Sequence, residues 1–307
     1  MPVSQPRHAA SHSRTLLVAV PIGLLFTAAA SLGVLASTPK IHSSTPPLPA
    51  AAAQLPSVDV GQKVAADPCA DADVEVALAS ADESSIVAAF GGGEAFRDAV
   101  AAGNAPCVSL SNPTRSWVVV NKARPLAPSD YAPAALQQNT LRTTTPSGRM
   151  RPEVADALSA LAAQAQVAGV GVIGVNNGYR SYGLQQETYA AHVDANGQEQ
   201  ADAGSARPGH SEHQTGLAVD VVACGEAGCS SLDAFGGTPQ GQWVAENAWR
   251  YGFVVRYEDG QTRSTGYLAE PWHLRYIGPE LAATYNEGGY HCLEEFFALP
   301  HAPDYTG

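Results

Sequence analysis

The chain has 307 residues, a formal net charge of −12 and 45% hydrophobic residues, a figure that abundant alanine inflates. Its lysines are Lys40, Lys63 and Lys122, and no basic patch or stripe is visible, which argues against a nucleic-acid partner. The length allows one large domain or two small ones.

Arg7 and Arg14 precede an uncharged apolar run from Leu16 to Leu35. Two readings stand for residues 1–36: a signal peptide with small residues at its cleavage site, or a signal anchor long enough to span a bilayer. In both, the positive flank places the remainder outside the cytoplasm, with a membrane attachment if the segment is uncleaved. Residues 37–66 are rich in Pro, Ala and Ser and lack a periodic apolar face, so they read as a linker. Residues 67–112 read as a small helical accessory segment, with Ile86 and Phe90 and then Phe96 and Val100 at helical spacing around Gly91–Gly93. In an exported chain the five cysteines point to disulfides. A bridge between Cys224 and Cys229 would close a small loop and one between Cys69 and Cys107 would clamp the segment before the main domain, leaving Cys292 over, but spacing alone leaves the pairing open.

The main domain is placed at 115–299. A β-branched strand is expected at Trp117–Asn121. Arg151-Pro152-Glu153 opens a helix to about Gln166. Val170–Val175 reads as a buried strand, Tyr182–His192 as a helix followed by a polar loop, Gln242–Tyr251 as a helix, and Phe253–Tyr257 as a strand. An extended segment follows over Gly266–Tyr276, and a closing helix over Leu293–Leu299. Helices and hairpin-like strands without regular βαβ alternation predict an α+β fold, a small antiparallel sheet flanked by helices.

The chemistry centres on Ser211-Glu212-His213-Gln214-Thr215-Gly216-Leu217-Ala218-Val219-Asp220. Leu217, Val219 and Val221 alternate with Ala218, Asp220 and Val222, the period of a strand. His213 and Asp220 are separated by Gly216, where the backbone can turn and bring both side chains onto one metal ion. With His273 they make two imidazoles and a carboxylate, the ligand set of a catalytic zinc that keeps one position open. Glu270 is the candidate general base. Pro271 excludes a regular helix through Glu270 and His273, and a kink there is expected to aim Glu270 at the metal; the alternative is a strand-end carboxylate paired with Arg275. Arg180 sits between a buried strand and a helix, in position to stabilise an oxyanion or to form a surface ion pair. Ser211 and Gln185 are candidate substrate-binding residues or loop stabilisers. His192, His210, His291 and His301 have no partner pattern and are read as non-ligands.

These motifs together resemble the D-alanyl-D-alanine carboxypeptidases of the VanY type. Ser211-x-His213-x-x-Gly216-x-Ala218-x-Asp220, Glu270-x-Trp272-His273, Gly178-Tyr179-Arg180-Ser181-Tyr182 with Gln185, and the entry around Val119–Pro128 occur in order over Trp117–Phe297. The resemblance implies one zinc ion on His213, Asp220 and His273, Glu270 as base, Arg180 at the transition state, and the α+β fold shared with hedgehog signalling domains. It further implies removal of the terminal D-alanine from peptidoglycan stem peptides in the cell envelope. The alternatives are L,D cleavage of a tetrapeptide stem, or a non-catalytic zinc-containing wall-binding module. A non-haem iron triad is also compatible with the ligand types, although export and the nearby glutamate disfavour it. Asn177 stands where the pattern leads one to expect a serine.

Overall fold

The computed structural model describes residues 67–80 and 82–305; the expected leader at 1–36 and linker at 37–66 lie outside the described residues. Among the described residues, no helix is long and apolar enough to cross a membrane.

Three short helices come first: α1 (Ala72–Leu78), α2 (Glu83–Ala89) and α3 (Gly93–Ala101). A two-stranded ribbon, β1 (Gln137–Gln138) with β2 (Arg149–Met150), precedes α4 (Pro152–Val167). Then follow β3 (Val172–Asn177), α5 (Tyr182–Asn196), α6 (Gln198–Gly204), β4 (Ala218–Gly225) and β5 (Gly228–Cys229). The chain continues through α7 (Pro239–Asn247), β6 (Phe253–Tyr257), α8 (Thr262–Thr265), β7 (Glu270–Tyr276), α9 (Pro279–Glu287) and α10 (Leu293–Phe296). The main sheet is antiparallel in the order β3-β4-β7-β6, with β5 paired to β4. This is the expected mixture of helices with a small antiparallel sheet.

One face of the sheet is apolar. Ile173 and Val175, then Val219 and Val221, then Leu274 pack on Val154, Leu158, Leu161 and Ala165 of α4 and Val244 of α7. Alternation leaves Asp220 and His273 on the opposite face. A second core joins Val74, Ile86 and Phe96 of the first three helices to Trp117, Val119, Leu281, Tyr285 and Phe296. Cys69 is bridged to Cys107 and Cys224 to Cys229, and Cys292 is a buried free thiol, as expected.

Several elements depart from the sequence reading. Trp117–Asn121 is not a strand. Its side chains do alternate, Trp117 and Val119 into the second core and Val118 and Val120 into the first. Its backbone is satisfied differently: the carbonyls of Ser116 and Val118 accept from the Arg275 guanidinium, at 2.8 and 2.6 Å. The polar loop after His192 contains α6, and Pro279–Glu287 is a helix that the sequence reading omitted. The strand expected over Gly266–Tyr276 begins only at Glu270, and the closing helix stops at Phe296. The helix expected at Gln242 begins at Pro239, with Thr238 capping it, and gives way to a 3₁₀ turn from Ala248.

Candidate active site

Asp220 and His273 are direct antiparallel partners on β4 and β7, so their side chains emerge on one face of the sheet. His213 reaches that face from a single 3₁₀ turn, Glu212–Thr215, just before β4. Gly216 ends the turn in the left-handed region, φ 72°, which a side chain adopts only with strain. A Cβ there would also press on Arg151 Cγ at 3.2 Å and Leu136 Cδ2 at 3.3 Å. Arg151, which caps α4, pins the turn by donating from Nε to the Thr215 carbonyl at 2.8 Å and from its amide to the Gly216 carbonyl at 3.1 Å.

The turn brings His213 Nε2 to 3.3 Å from Asp220 Oδ2, while His273 Nδ1 lies 3.1 Å from Asp220 Oδ1. One donor atom from each of the three residues falls within 4.8 Å of the others. All three are buried. His213 Nδ1 sits 2.8 Å from the Gly178 carbonyl, which only accepts, so Nδ1 carries the proton. Burial keeps this imidazole neutral against the pull of Asp220. The bare Nε2 lone pair therefore points at the Asp220 carboxylate, 3.3 Å away and equally buried. Two electron-rich atoms facing each other away from water are unfavourable unless a cation lies between them. Two histidines and a carboxylate at this spacing fit a zinc ion. Asn177 Nδ2 donates to Asp220 Oδ2 at 2.8 Å, so the residue found in place of the expected serine orients a candidate ligand.

Glu270 joins the group by a bulge rather than a simple kink. Val255 pairs with Leu274 but Tyr257 pairs with Glu270, so β7 spends extra residues around Pro271. This rotates Glu270 to the side of His273, with Oε2 3.7 Å from Nδ1, and leaves its side chain 18% exposed. Burial raises its carboxyl to about 7, with Asp220 adding to the rise and His273 and Arg180 opposing it. Glu270 does not pair with Arg275, which bonds instead to Glu212 at 2.7 Å. Arg180 follows β3, and its amide donates to the His213 carbonyl at 3.2 Å. Its Nε is buried with no partner among the described residues. Burial works against its charge, and Asp220 and Glu270 favour it.

Arg180, Ser211, His213, Asp220, Glu270 and His273 all border one cleft of about 260 Å³. Tyr257, Tyr267 and Trp272 add aromatic walls, a role that the sequence analysis assigned to none of them. Gln185 is fully buried off the cleft, donating to the Ala206 carbonyl at 2.6 Å, and so holds the loop that forms one wall. His192 borders the cleft without contacting the ligands. His210 bonds to the Asn121 carbonyl and His291 to Glu258, away from the site. Glu212 was passed over in the sequence although it lies between Ser211 and His213. Its signal was indirect: Arg256 and Arg275 both sit in apolar strands and need a buried anion.

Residues 147–279 match the family described as VanY, D-alanyl-D-alanine carboxypeptidase. The chain is 36% identical to YodJ of Bacillus subtilis over 193 residues, 62% of this chain and 69% of that one. It is 36% identical to a D-alanyl-D-alanine carboxypeptidase of Enterococcus faecium over 147 residues, 48% of this chain and 43% of that one. It thus spans less than half the length of the second relative. The solved structure of the LdcB LD-carboxypeptidase is 36% identical, superposes with a TM-score of 0.56, and matches 61% of this chain and 87% of its own.

Proposed function

The chain belongs to the VanY family of D-alanyl-D-alanine carboxypeptidases, and from that premise we propose that it removes the terminal D-alanine from peptidoglycan stem peptides, outside the cytoplasm, with one zinc ion held by His213, Asp220 and His273. The observation that carries this reading is the convergence of Glu270, Arg180 and the three buried donor residues on one cleft. Zinc in this position supplies a Lewis acid and makes water a nucleophile near neutral pH.

Glu270 takes the proton from the attacking water. Burial pushes this carboxyl up to about 7 before any metal binds, and a cation beside it lowers the value and keeps it ionised at neutral pH, ready to accept a proton. As the water oxygen bonds to the scissile carbonyl carbon, negative charge develops on the carbonyl oxygen, and the Arg180 guanidinium, whose Nε has no partner among the described residues, supports it. The C–N bond then breaks and Glu270 returns its proton to the departing amine, releasing alanine. Ser211 on the cleft wall contacts substrate, whereas Gln185 acts through the loop it holds. Two disulfides suit an extracytoplasmic site of action. Residues 1–36, read as a signal peptide or a signal anchor, are the segment proposed to carry the chain there.

A second reading, cleavage of the L,D bond of a tetrapeptide stem, is favoured by the likeness to LdcB, described as an LD-carboxypeptidase. Mass spectrometry of penta- and tetrapeptide stems incubated with the purified chain tests both. Loss of one alanine from the pentapeptide alone supports the first reading, and loss from the tetrapeptide alone supports the second. Either loss should vanish with a chelator and return with zinc. Intact stems under every condition would overturn the proposal.

A further inference from the structure

Glu212 precedes a ligand by one residue and is completely enclosed. Its Oε1 accepts from Arg256 Nε at 2.9 Å and from Arg275 Nη1 at 2.7 Å. Its Oε2 lies 3.3 Å from His273 Nε2. Each guanidinium is itself fixed. Arg256 makes a two-pronged contact with Glu294, at 3.0 and 2.7 Å, and Glu294 accepts from Asn121 Nδ2 at 2.8 Å. Arg275 holds the Ser116 and Val118 carbonyls. The Glu212 carboxylate is therefore set in place from both sides, with one oxygen left for His273.

A carboxylate between two guanidiniums is an anion and can only accept. The proton in its contact with His273 must come from Nε2. A neutral imidazole protonated at Nε2 carries its lone pair on Nδ1, and Nδ1 is the atom beside Asp220 Oδ1 and Glu270 Oε2. Resting on the assignment of His273 as a ligand, we propose that Glu212 is a positioning residue of the metal centre. Clamped by Arg256 and Arg275, it accepts the Nε2 proton of His273 and so presents Nδ1 to the ion. A role in charge neutralisation alone explains less, because Glu294 already pairs with Arg256 whereas only Glu212 reaches His273.

The test uses the full purified chain and zinc alone. Long-range proton–nitrogen correlation spectra of zinc-loaded wild type should show His273 protonated at Nε2 and ligated through Nδ1. Ligation through Nε2 would overturn the proposal. Chelator competition should show zinc bound about 10- to 100-fold more weakly by Glu212→Gln, which keeps the shape but no longer dictates the direction of the hydrogen bond. A folded Glu212→Gln protein with affinity within about threefold of wild type would overturn it. Should that variant not fold, the wild-type spectrum decides. Glu294→Gln is the control: it should lower the melting temperature and leave the His273 tautomer and zinc affinity unchanged. Equal weakening of zinc in both variants would assign the effect to the charge network as a whole and overturn a specific role for Glu212. These readouts register zinc and a proton, not hydrolysis. A chain that passes them yet cleaves no stem peptide would defeat the proposed function and leave this inference standing.

Discussion

Asp220 and His273 face each other across the β4–β7 ladder, with Oδ1 and Nδ1 3.1 Å apart and both side chains out of bulk water. The register of one strand pair thus places two of the three residues of the proposed metal site, and the Gly216 turn adds His213. Replacing any one of the three residues by alanine should reduce zinc from one equivalent to a small fraction. Metal analysis after dialysis checks this, and full occupancy in any of the variants would contradict the ligand set.

The same geometry makes zinc binding depend on pH. In the metal-free chain, burial lowers the His273 pKa, but hydrogen bonds to Asp220 and Glu212 outweigh burial and push it up to about 9. Zinc must displace a proton from this ring, so affinity is greatest above that value and weakens as pH falls through it, up to about tenfold per unit. Isothermal titration calorimetry between pH 6 and 9 should show this slope with proton release; a pH-independent affinity would contradict it.

Turnover has its own acid limb. Glu270 works as a base only when ionised. Burial raises its carboxyl from 4.5 to about 7 without a metal, and a cation beside it moves the value back down. The profile of kcat/KM should rise with pH and level off above an apparent pKa between those two numbers. A profile that is flat or falling across pH 4.5–8 would remove Glu270 from the role.

Much of this arrangement was legible in the residues, because short-range patterns encode it. Period-two alternation over Leu217–Val222 placed Asp220 opposite the core face, and a glycine before it marked the turn. Pro152 correctly opened α4. What stayed hidden depends on contacts between distant segments. Trp117–Asn121 has the alternation of a strand, yet its Val118 carbonyl, like that of Ser116 just before it, is taken by Arg275, more than 150 residues later in the chain. Pairing Arg275 with Glu270, its neighbour in sequence, followed proximity; the buried partner is Glu212, 63 residues before it. The bulge at Pro271 was foreshadowed by the proline only as a kink, since a register shift requires knowing the partner strand β6.

Arg180 has a buried Nε with no partner among the described residues, and Asp220 and Glu270 favour its charge, which suits it to a negative charge that develops only during reaction. Arg180→Ala should lower kcat by about 10²–10³ while leaving zinc content unchanged. Arg180→Lys should restore only part of this, because an ammonium keeps the charge and loses the planar fork. Steady-state kinetics on a stem pentapeptide checks both; a change confined to KM would point to ground-state binding instead.

Gly216→Ala places a methyl group where φ is 72° and where Arg151 and Leu136 already crowd the backbone. Destabilisation of about 1–3 kcal/mol is expected, with weaker zinc binding because the turn that carries His213 must shift. Thermal unfolding with and without zinc measures both, and an unchanged melting temperature would show that the turn tolerates a side chain.

Glu270 is proposed as the base of a zinc hydrolase and not as one of its ligands. The most direct measurement is the rate of alanine release by Glu270→Ala, taken together with the zinc content of the same preparation. One equivalent of zinc and a rate lower by about 10²–10⁴ are expected. Release at close to the wild-type rate with zinc in place would contradict this assignment.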